Sequence, residues 1–328
     1  MMTDTILQVR DLNMQFVSGG GMFGRNPTVV KAVDNVSFDV HRGETLGIVG
    51  ESGSGKTTLG RCIMRILDPT SGSVRLHRKQ KDAIELVDCD ARALRHVWRD
   101  LRMVFQDPQS SLNPRLRVID IVGQCLRKSE NLSGKALTDR VADLLEKVGL
   151  RPEYLLRYPN AFSGGQRQRL GIARALATGP ELIIADEAVS ALDVSIQAQT
   201  LNLLQDLQEQ FALTYVFIAH DLAVVEHICN RIAVMYLGQI VELASTDELF
   251  NDPKHPYTRA LLSAVPVPDP RARLKKRQRI ALKDGASTGT GCRFAARCPH
   301  ATDLCIAETP ARKSINGADV LCHYAGEL

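Results

Sequence analysis

Eight consecutive residues constrain this chain more than any others: Gly50-Glu51-Ser52-Gly53-Ser54-Gly55-Lys56-Thr57. They fit G-x-x-x-x-G-K-[ST], the pattern of a loop that wraps nucleotide phosphates. The glycines let backbone N–H groups converge on phosphate oxygens where a Cβ would intrude. Lys56 supplies positive charge for the β- and γ-phosphates, and the Thr57 hydroxyl is placed to ligate Mg²⁺. The flanks agree with this reading. Thr45-Leu46-Gly47-Ile48-Val49 reads as a short buried strand, and Lys56 to Leu67, through Thr58, reads as a helix stopped by Asp68-Pro69. A phosphate held here meets a helix N-terminus, whose free N–H groups and dipole favour an anion. A purely structural glycine turn accounts for the glycines but not for the strand, lysine and helix around them.

With 328 residues and 44% hydrophobic content, the chain can build one large domain or two. A net charge of +4 is too mild to argue for nucleic acid. No apolar run approaches the roughly 18–20 residues that span a bilayer. Met1-Met2-Thr3-Asp4-Thr5 lacks a basic stretch leading into an apolar one, so no secretory signal is expected and the chain is read as cytoplasmic. Its eight cysteines are then expected as thiols or metal ligands. Cys62, Cys89, Cys125 and Cys229 are scattered and read as buried small hydrophobes.

Strand-like segments stand at Ile6–Arg10, Val29–Val33, Val36–Val40, Leu101–Phe105, Leu182–Ala185, Tyr215–Ala219 and Ile232–Met235. Ser18-Gly19-Gly20-Gly21 reads as a loop. Helical patterns lie between several strands; Val141, Leu144, Leu145 and Val148 share one face of an amphipathic segment from Arg140 to Val148. Alternating strands and helices predict an α/β core with a mainly parallel sheet. Residues 107–162 carry no obvious strand and read as an inserted helical subdomain. Composition changes near Asn251-Asp252-Pro253, giving a core over 1–252 and an extension over 253–328. There is no internal repeat, hence one nucleotide unit.

A second phosphate-type helix start follows at Phe162-Ser163-Gly164-Gly165-Gln166-Arg167-Gln168-Arg169, where Ser163 is a good N-cap and the glycines leave backbone donors exposed. The segment resembles the signature motif of ATP-binding cassette (ABC) proteins, usually Leu-Ser-Gly-Gly-Gln. That resemblance implies a P-loop ATPase core and a head-to-tail dimer in which this loop closes on ATP held by a partner. It also gives meaning to Leu182-Ile183-Ile184-Ala185-Asp186-Glu187, an apolar strand delivering two carboxylates. Asp186 matches the residue that holds Mg²⁺, and Glu187 the one that orients or deprotonates the attacking water. Gln106 matches the Q-loop glutamine, near Mg²⁺ and the γ-phosphate. Asp193, in Ser190-Ala191-Leu192-Asp193, matches the D-loop at the dimer interface, and His220 the switch histidine. Phe16 lies where the family places an adenine-stacking aromatic, and equally fits a core position. Ala188 replaces the usual Pro after the glutamate, which implies altered rigidity with the chemistry kept.

Past residue 250, Lys254-His255-Pro256-Tyr257-Thr258-Arg259-Ala260-Leu261-Leu262 looks like the segment that follows the cassette in ATPases of the dipeptide/oligopeptide/nickel importers. Asp107 to Pro114, Tyr158-Pro159 and Val189 to Ser195 resemble the same subfamily, closest to the F-type ATPase of dipeptide and oligopeptide permeases. Cys292, Cys298, Cys305 and Cys322 crowd a segment too poor in apolar residues to build a core alone. Their spacing fits neither a zinc pair nor the bacterial ferredoxin run, leaving a cluster, zinc and unliganded thiols open. Related permease subunits with this tail are associated with a [4Fe–4S] cluster, so the resemblance favours four-cysteine ligation. Serine replacement of these cysteines is expected to leave ATP binding in the core largely intact. Arg271 to Arg279 is strongly basic and reads as a solvated linker or a contact to anionic lipid.

The resemblance therefore implies an ATP-hydrolysing subunit, peripheral at the cytoplasmic face of a bacterial inner membrane, energising import of di- or oligopeptides. Implied partners are a paralogous ATPase in a heterodimer, two transmembrane permease subunits and an extracytoplasmic solute-binding protein, with no nucleic acid. Nickel, glutathione or oligosaccharide cargo is the alternative. A soluble ABC ATPase acting on DNA or ribosomes is the rival class; its usual coiled coils, zinc hooks or second cassette are not found.

Overall fold

The apolar run before the phosphate loop lies inside a large sheet. The computed structural model describes residues 4–18, 28–79, 81–190, 192–264 and 290–327. Its strands are β1 (Thr5–Ser18), β2 (Thr28–His41), β3 (Thr45–Val49), β4 (Ser71–Leu76), β5 (Ile84–Glu85), β6 (Leu101–Val104), β7 (Leu182–Asp186), β8 (Thr214–Ala219), β9 (Arg231–Tyr236), β10 (Gln239–Ser245), β11 (Arg312–Ile315) and β12 (Ala318–Leu321). The larger sheet runs β11-β12-β10-β9-β3-β8-β7-β6. From β9 to β6 all neighbours are parallel; β10, β12 and β11 add antiparallel. Every residue of β3, β7 and β8 is buried, as expected of a parallel sheet covered on both faces. A smaller antiparallel sheet runs β2-β1-β4-β5.

The helices are α1 (Lys56–Ile63), α2 (Ala91–Asp100), α3 (Pro108–Ser111), α4 (Val118–Glu130), α5 (Gly134–Lys147), α6 (Gly164–Leu176), α7 (Val194–Phe211), α8 (Leu222–Ile228), α9 (Thr246–Asn251), α10 (Pro256–Ala264) and α11 (Asp303–Ala307). Leu59, Cys62 and Ile63 of α1 join one core with residues of both sheets. The opposite face of the larger sheet shares a second core with α4, α5 and α6.

Several expected elements change at their edges. The helix from Lys56 ends at Ile63 rather than Leu67, and Arg65 turns into the left-handed region at φ 53°. The two strands read at Val29–Val33 and Val36–Val40 are one strand, β2, whose register shifts around Asn35 at φ 53°. Between residues 107 and 162 the described residues form α3, α4, α5 and short 3₁₀ turns, with no strand. Residues 19–21 of the glycine-rich loop and the basic run 271–279 lie outside the described residues, as does Ala191.

The C-terminal extension does not stand apart. Strand β12 pairs with β10 through Glu242–Val320 and Leu243–Asp319, lengthening the main sheet. Phe294, Cys298, Val320 and Cys322 belong to the same core as Val49, Ala185 and Tyr257. A segment too small for its own core has borrowed one.

Candidate functional site

Strand β3 delivers the phosphate loop, and α1 carries the chain away from it. Gly55 precedes α1 at φ 103°, and a Cβ there would lie 2.1 Å from the Ala32 carbonyl oxygen. No side chain caps α1 and its first turn carries no acid, so its N–H groups are free for an anion. They face a pocket of about 750 Å³ lined by Ser52, Gly53, Gly55, Lys56, Thr57, Thr58, Gln106 and Glu187. Val29, Val30, Lys31, Ala32, Leu237, Gly238 and Arg293 complete its wall. Lys56 is buried and its Nζ donates to the carbonyls of Gly50 at 2.8 Å and Glu51 at 2.9 Å. Burial lowers its pKa, opposed by Glu187, Asp186 and Glu51. Ser54 Oγ is buried without a partner.

The acid pair meets this loop from β7. Asp186 is buried, which raises its pKa, and its Oδ1 accepts from Thr57 Oγ1 at 3.0 Å. Glu187 leaves the strand at φ 46°, a left-handed conformation uncommon for a non-glycine and concentrated at functional sites. Its amide donates to Ile218 O at 2.9 Å, and its carbonyl accepts from Ser190 Oγ at 3.0 Å. One carboxylate oxygen, Oε2, accepts from Gln106 Nε2 at 2.9 Å and lies 3.2 Å from His220 Nδ1. Three parallel strands, β6, β7 and β8, thus end in three side chains that meet. His220 also lines a smaller cavity of about 120 Å³ that shares Glu187 with the first pocket.

The second helix start stands elsewhere. Ser163 caps α6 in a reciprocal arrangement: its Oγ accepts from Gln166 N at 3.3 Å, and Gln166 Oε1 accepts from Ser163 N at 3.0 Å. Ser163, Gly164, Gly165 and Gln166 do not line the phosphate pocket, nor does Asp193, which caps α7 by accepting from Ile196 N at 2.9 Å. Phe16 is 42% exposed, faces Val30 across the β1–β2 ladder, and does not line the pocket.

Comparison with known proteins fits this geometry. The ABC transporter family model matches residues 33–190, and the oligopeptide/dipeptide transporter C-terminal region matches 241–305. The probable peptide ABC transporter ATP-binding protein of Sinorhizobium fredii is 52% identical over 98% of this chain and 90% of its own length. This chain is an ABC transporter ATP-binding protein. The oligopeptide transport ATP-binding protein of Bacillus subtilis is 49% identical over 98% of this chain and 97% of its own. The di/tripeptide transport ATP-binding protein of Pseudomonas aeruginosa is 44% identical, covering 99% of both. Among solved structures, a dimeric ATP-binding cassette bound to ADP and phosphate superimposes with a TM-score of 0.64, at 29% identity over 74% of this chain and 99% of its own. Family membership makes the chain an ATP-binding ATPase.

In this ABC ATPase the C-terminal extension reaches the ATP pocket, which sequence reasoning missed. The Tyr257 hydroxyl, fully buried, accepts from the Glu51 amide at 3.0 Å. Arg297 grips the Glu51 carboxylate with both Nη atoms, at 2.9 and 3.1 Å. Arg293 lines the pocket itself. Buried Glu242 of β10 fixes the entry to α10 by accepting from the amides of Lys254 at 2.7 Å and His255 at 2.9 Å. The extension thus supplies part of the pocket wall.

Cys292, Cys298, Cys305 and Cys322 all line one small cavity of about 20 Å³, with His255, His300 and His323 at its edge. None of the four is disulfide-bonded, and burial pushes Cys292 up to about 11, aided by the other three. Among the described residues, no three His, Cys, Asp or Glu side chains are grouped to hold a metal ion. Of the scattered cysteines, Cys62 and Cys229 are buried as expected, while Cys89 and Cys125 are half-buried.

Proposed function

We propose that this chain is the ATP-hydrolysing subunit of a bacterial importer of di- and oligopeptides. One observation carries the chemistry: a single pocket presents a helix N-terminus, Thr57 with buried Asp186 bonded behind it, and a glutamate held by Gln106 and His220. In this reading Gly50 to Thr58 cradle the phosphates, with Lys56 released from its loop carbonyls to the β- and γ-phosphates. Thr57, Asp186 and Gln106 are the oxygen donors that suit Mg²⁺, and a buried carboxylate carrying a raised pKa is a fitting place for a cation. Mg²⁺ bound there would neutralise charge on the transferring phosphoryl group. Glu187 orients the attacking water and takes its proton, and His220 faces the γ-phosphate. Ser163 to Gln166 and Asp193 act across a dimer, which explains why they stand outside the pocket of their own chain. Phe16 stacks on adenine once nucleotide is bound.

The cargo rests on the relatives, whose names specify peptides, oligopeptides or di/tripeptides, and on the matched C-terminal region. The partners we infer are a paralogous ATPase, two permease subunits and an extracytoplasmic solute-binding protein. No helix among the described residues is long and apolar enough to cross a membrane, which suits a peripheral subunit at the cytoplasmic face.

For the four cysteines we infer a [4Fe–4S] cluster held by Cys292, Cys298, Cys305 and Cys322. Four thiols lining one cavity are the donor set such a cluster takes. Anaerobically purified protein should be brown, with near-stoichiometric iron and sulfide lost on serine replacement; colourless protein overturns the inference.

The function is tested by uptake of labelled di- and oligopeptides in cells lacking the gene. Wild type should restore uptake and Lys56→Ala should not. Uptake that never depended on the gene overturns the peptide cargo.

A further inference from the structure

We propose that the cysteine-rich segment completes the nucleotide site. Arg293 contacts the bound nucleotide at its ribose end, Arg297 positions the phosphate loop through Glu51, and the cysteine-bounded turn that carries both arginines thereby sets nucleotide affinity. The inference rests on ATP being the ligand of the 750 Å³ pocket.

Arg293 lies in that pocket's wall although it belongs to the C-terminal segment, far beyond the phosphate loop in sequence. Its guanidinium pairs with Asp34 Oδ2 at 2.6 Å and donates to the Leu237 carbonyl. Those two bonds hold the group in place and use only part of a planar fork of five N–H donors. Its neighbourhood identifies which part of the ligand it meets. A Cβ on Gly238 would lie 3.2 Å from Arg293 Nη1 and 2.8 Å from Lys31 O, so the guanidinium sits against the Lys31–Ala32 stretch of β2. That stretch adjoins the Phe16–Val30 ladder pair, whereas Gln106 and Glu187 mark the terminal-phosphate end. Among the described residues, the other lysine or arginine side chains in the wall are Lys31 and Lys56.

Arg297 does not reach the pocket. It holds the Glu51 carboxylate in a bidentate grip, and Glu51 O in turn accepts from Lys56 Nζ at 2.9 Å. The conformation of the loop and the aim of Lys56 are therefore tied to the tail.

Both arginines sit on one turn closed by cysteines. Arg293 follows Cys292 and Arg297 precedes Cys298. The turn is braced by Cys292 N donating to Cys305 O at 2.8 Å and Cys298 N to Phe294 O at 2.9 Å. Phe294, 1% exposed, is locked against Tyr236 and Tyr257. Whatever holds the thiols together holds the arginines in register with the loop.

The test is equilibrium binding of fluorescent ATP and ADP analogues to the purified full-length chain, with circular dichroism on each variant. Arg293→Ala should weaken both nucleotides by about tenfold, the scale of one charge-assisted hydrogen bond, and Arg293→Lys should recover part of it. Equal loss for ATP and ADP is the mark of a ribose-end contact. Arg297→Glu should weaken binding and the Glu51→Arg/Arg297→Glu exchange should restore it, an outcome that generic destabilisation does not give. Cys292→Ser and Cys298→Ser should weaken both nucleotides in the same direction. Wild type that binds both analogues while folded arginine and cysteine variants bind within about twofold of it overturns this inference alone. Wild type that binds neither analogue overturns the ATP reading and this inference with it.

Discussion

Glu187 Oε2 accepts a hydrogen bond from Gln106 Nε2 at 2.9 Å. Gln106 stands between the end of β6 and the start of the helical stretch α3–α5, and Glu187 ends β7 beside it. The carboxylate proposed to activate water is thereby tied to the point where the helical part of the molecule begins. Under the proposed function, this bond offers hydrolysis a physical route to the helical part of the protein.

Gly55 admits no side chain. At φ 103°, with a Cβ placed 2.1 Å from Ala32 O, alanine must displace either β2 or the phosphate loop. Gly55→Ala should lower stability by about 1–3 kcal/mol in thermal unfolding and abolish binding of fluorescent ATP. A variant that folds and binds normally would contradict the geometry.

Asp186 is held at a cost when no nucleotide is present. Burial raises its pKa from the ordinary 3.8, so the folded state binds the proton more tightly than the unfolded state. The contribution of such a group is favourable below the unfolded value and is lost as pH rises through the folded one. Asp186→Asn keeps an oxygen for the Thr57 hydroxyl and removes the charge. The nucleotide-free variant should melt higher than wild type at pH 7, with the gain shrinking as pH falls into the carboxylate range, while hydrolysis is lost. Equal melting at pH 7 would show that Lys56 already compensates the charge.

Tyr257 links the extension to the loop by a single hydroxyl. Tyr257→Phe leaves the ring packing against Tyr236 and Phe294 and deprives the Glu51 amide of its acceptor. An unsatisfied donor of this kind costs about 1–3 kcal/mol. The variant should melt lower and bind ATP more weakly, read by thermal shift with and without nucleotide.

What the sequence made legible follows from the parallel sheet. Strands β3, β7 and β8 are buried on both faces, so each is a continuous apolar run that points at the residue after it: the phosphate loop, Glu187 and His220. Strands β4 and β5 escaped because β4 is half exposed and takes its order from pairing with β1, a partner distant in sequence. The β11–β12 hairpin escaped for the same reason, as exposed residues of β11 give no pattern and β10 recruits β12 from outside. Tyr257, Arg297 and Arg293 were illegible in their site roles. Tyr257 and Arg297 meet Glu51 across separations of 206 and 246 residues, and no local spacing encodes such contacts.

Glu187 carries most of the proposed chemistry, and one comparison tests it directly. ATP binding and ATP turnover are measured side by side in the assembled transporter carrying either wild type or Glu187→Gln. The amide keeps an oxygen for Gln106 but cannot accept the proton of the attacking water. Binding should be unchanged while turnover falls by at least about 10²–10⁴-fold, the range of a lost general base. Turnover near the wild-type rate in the glutamine variant would contradict the assignment of the catalytic base and the reading of this pocket built upon it.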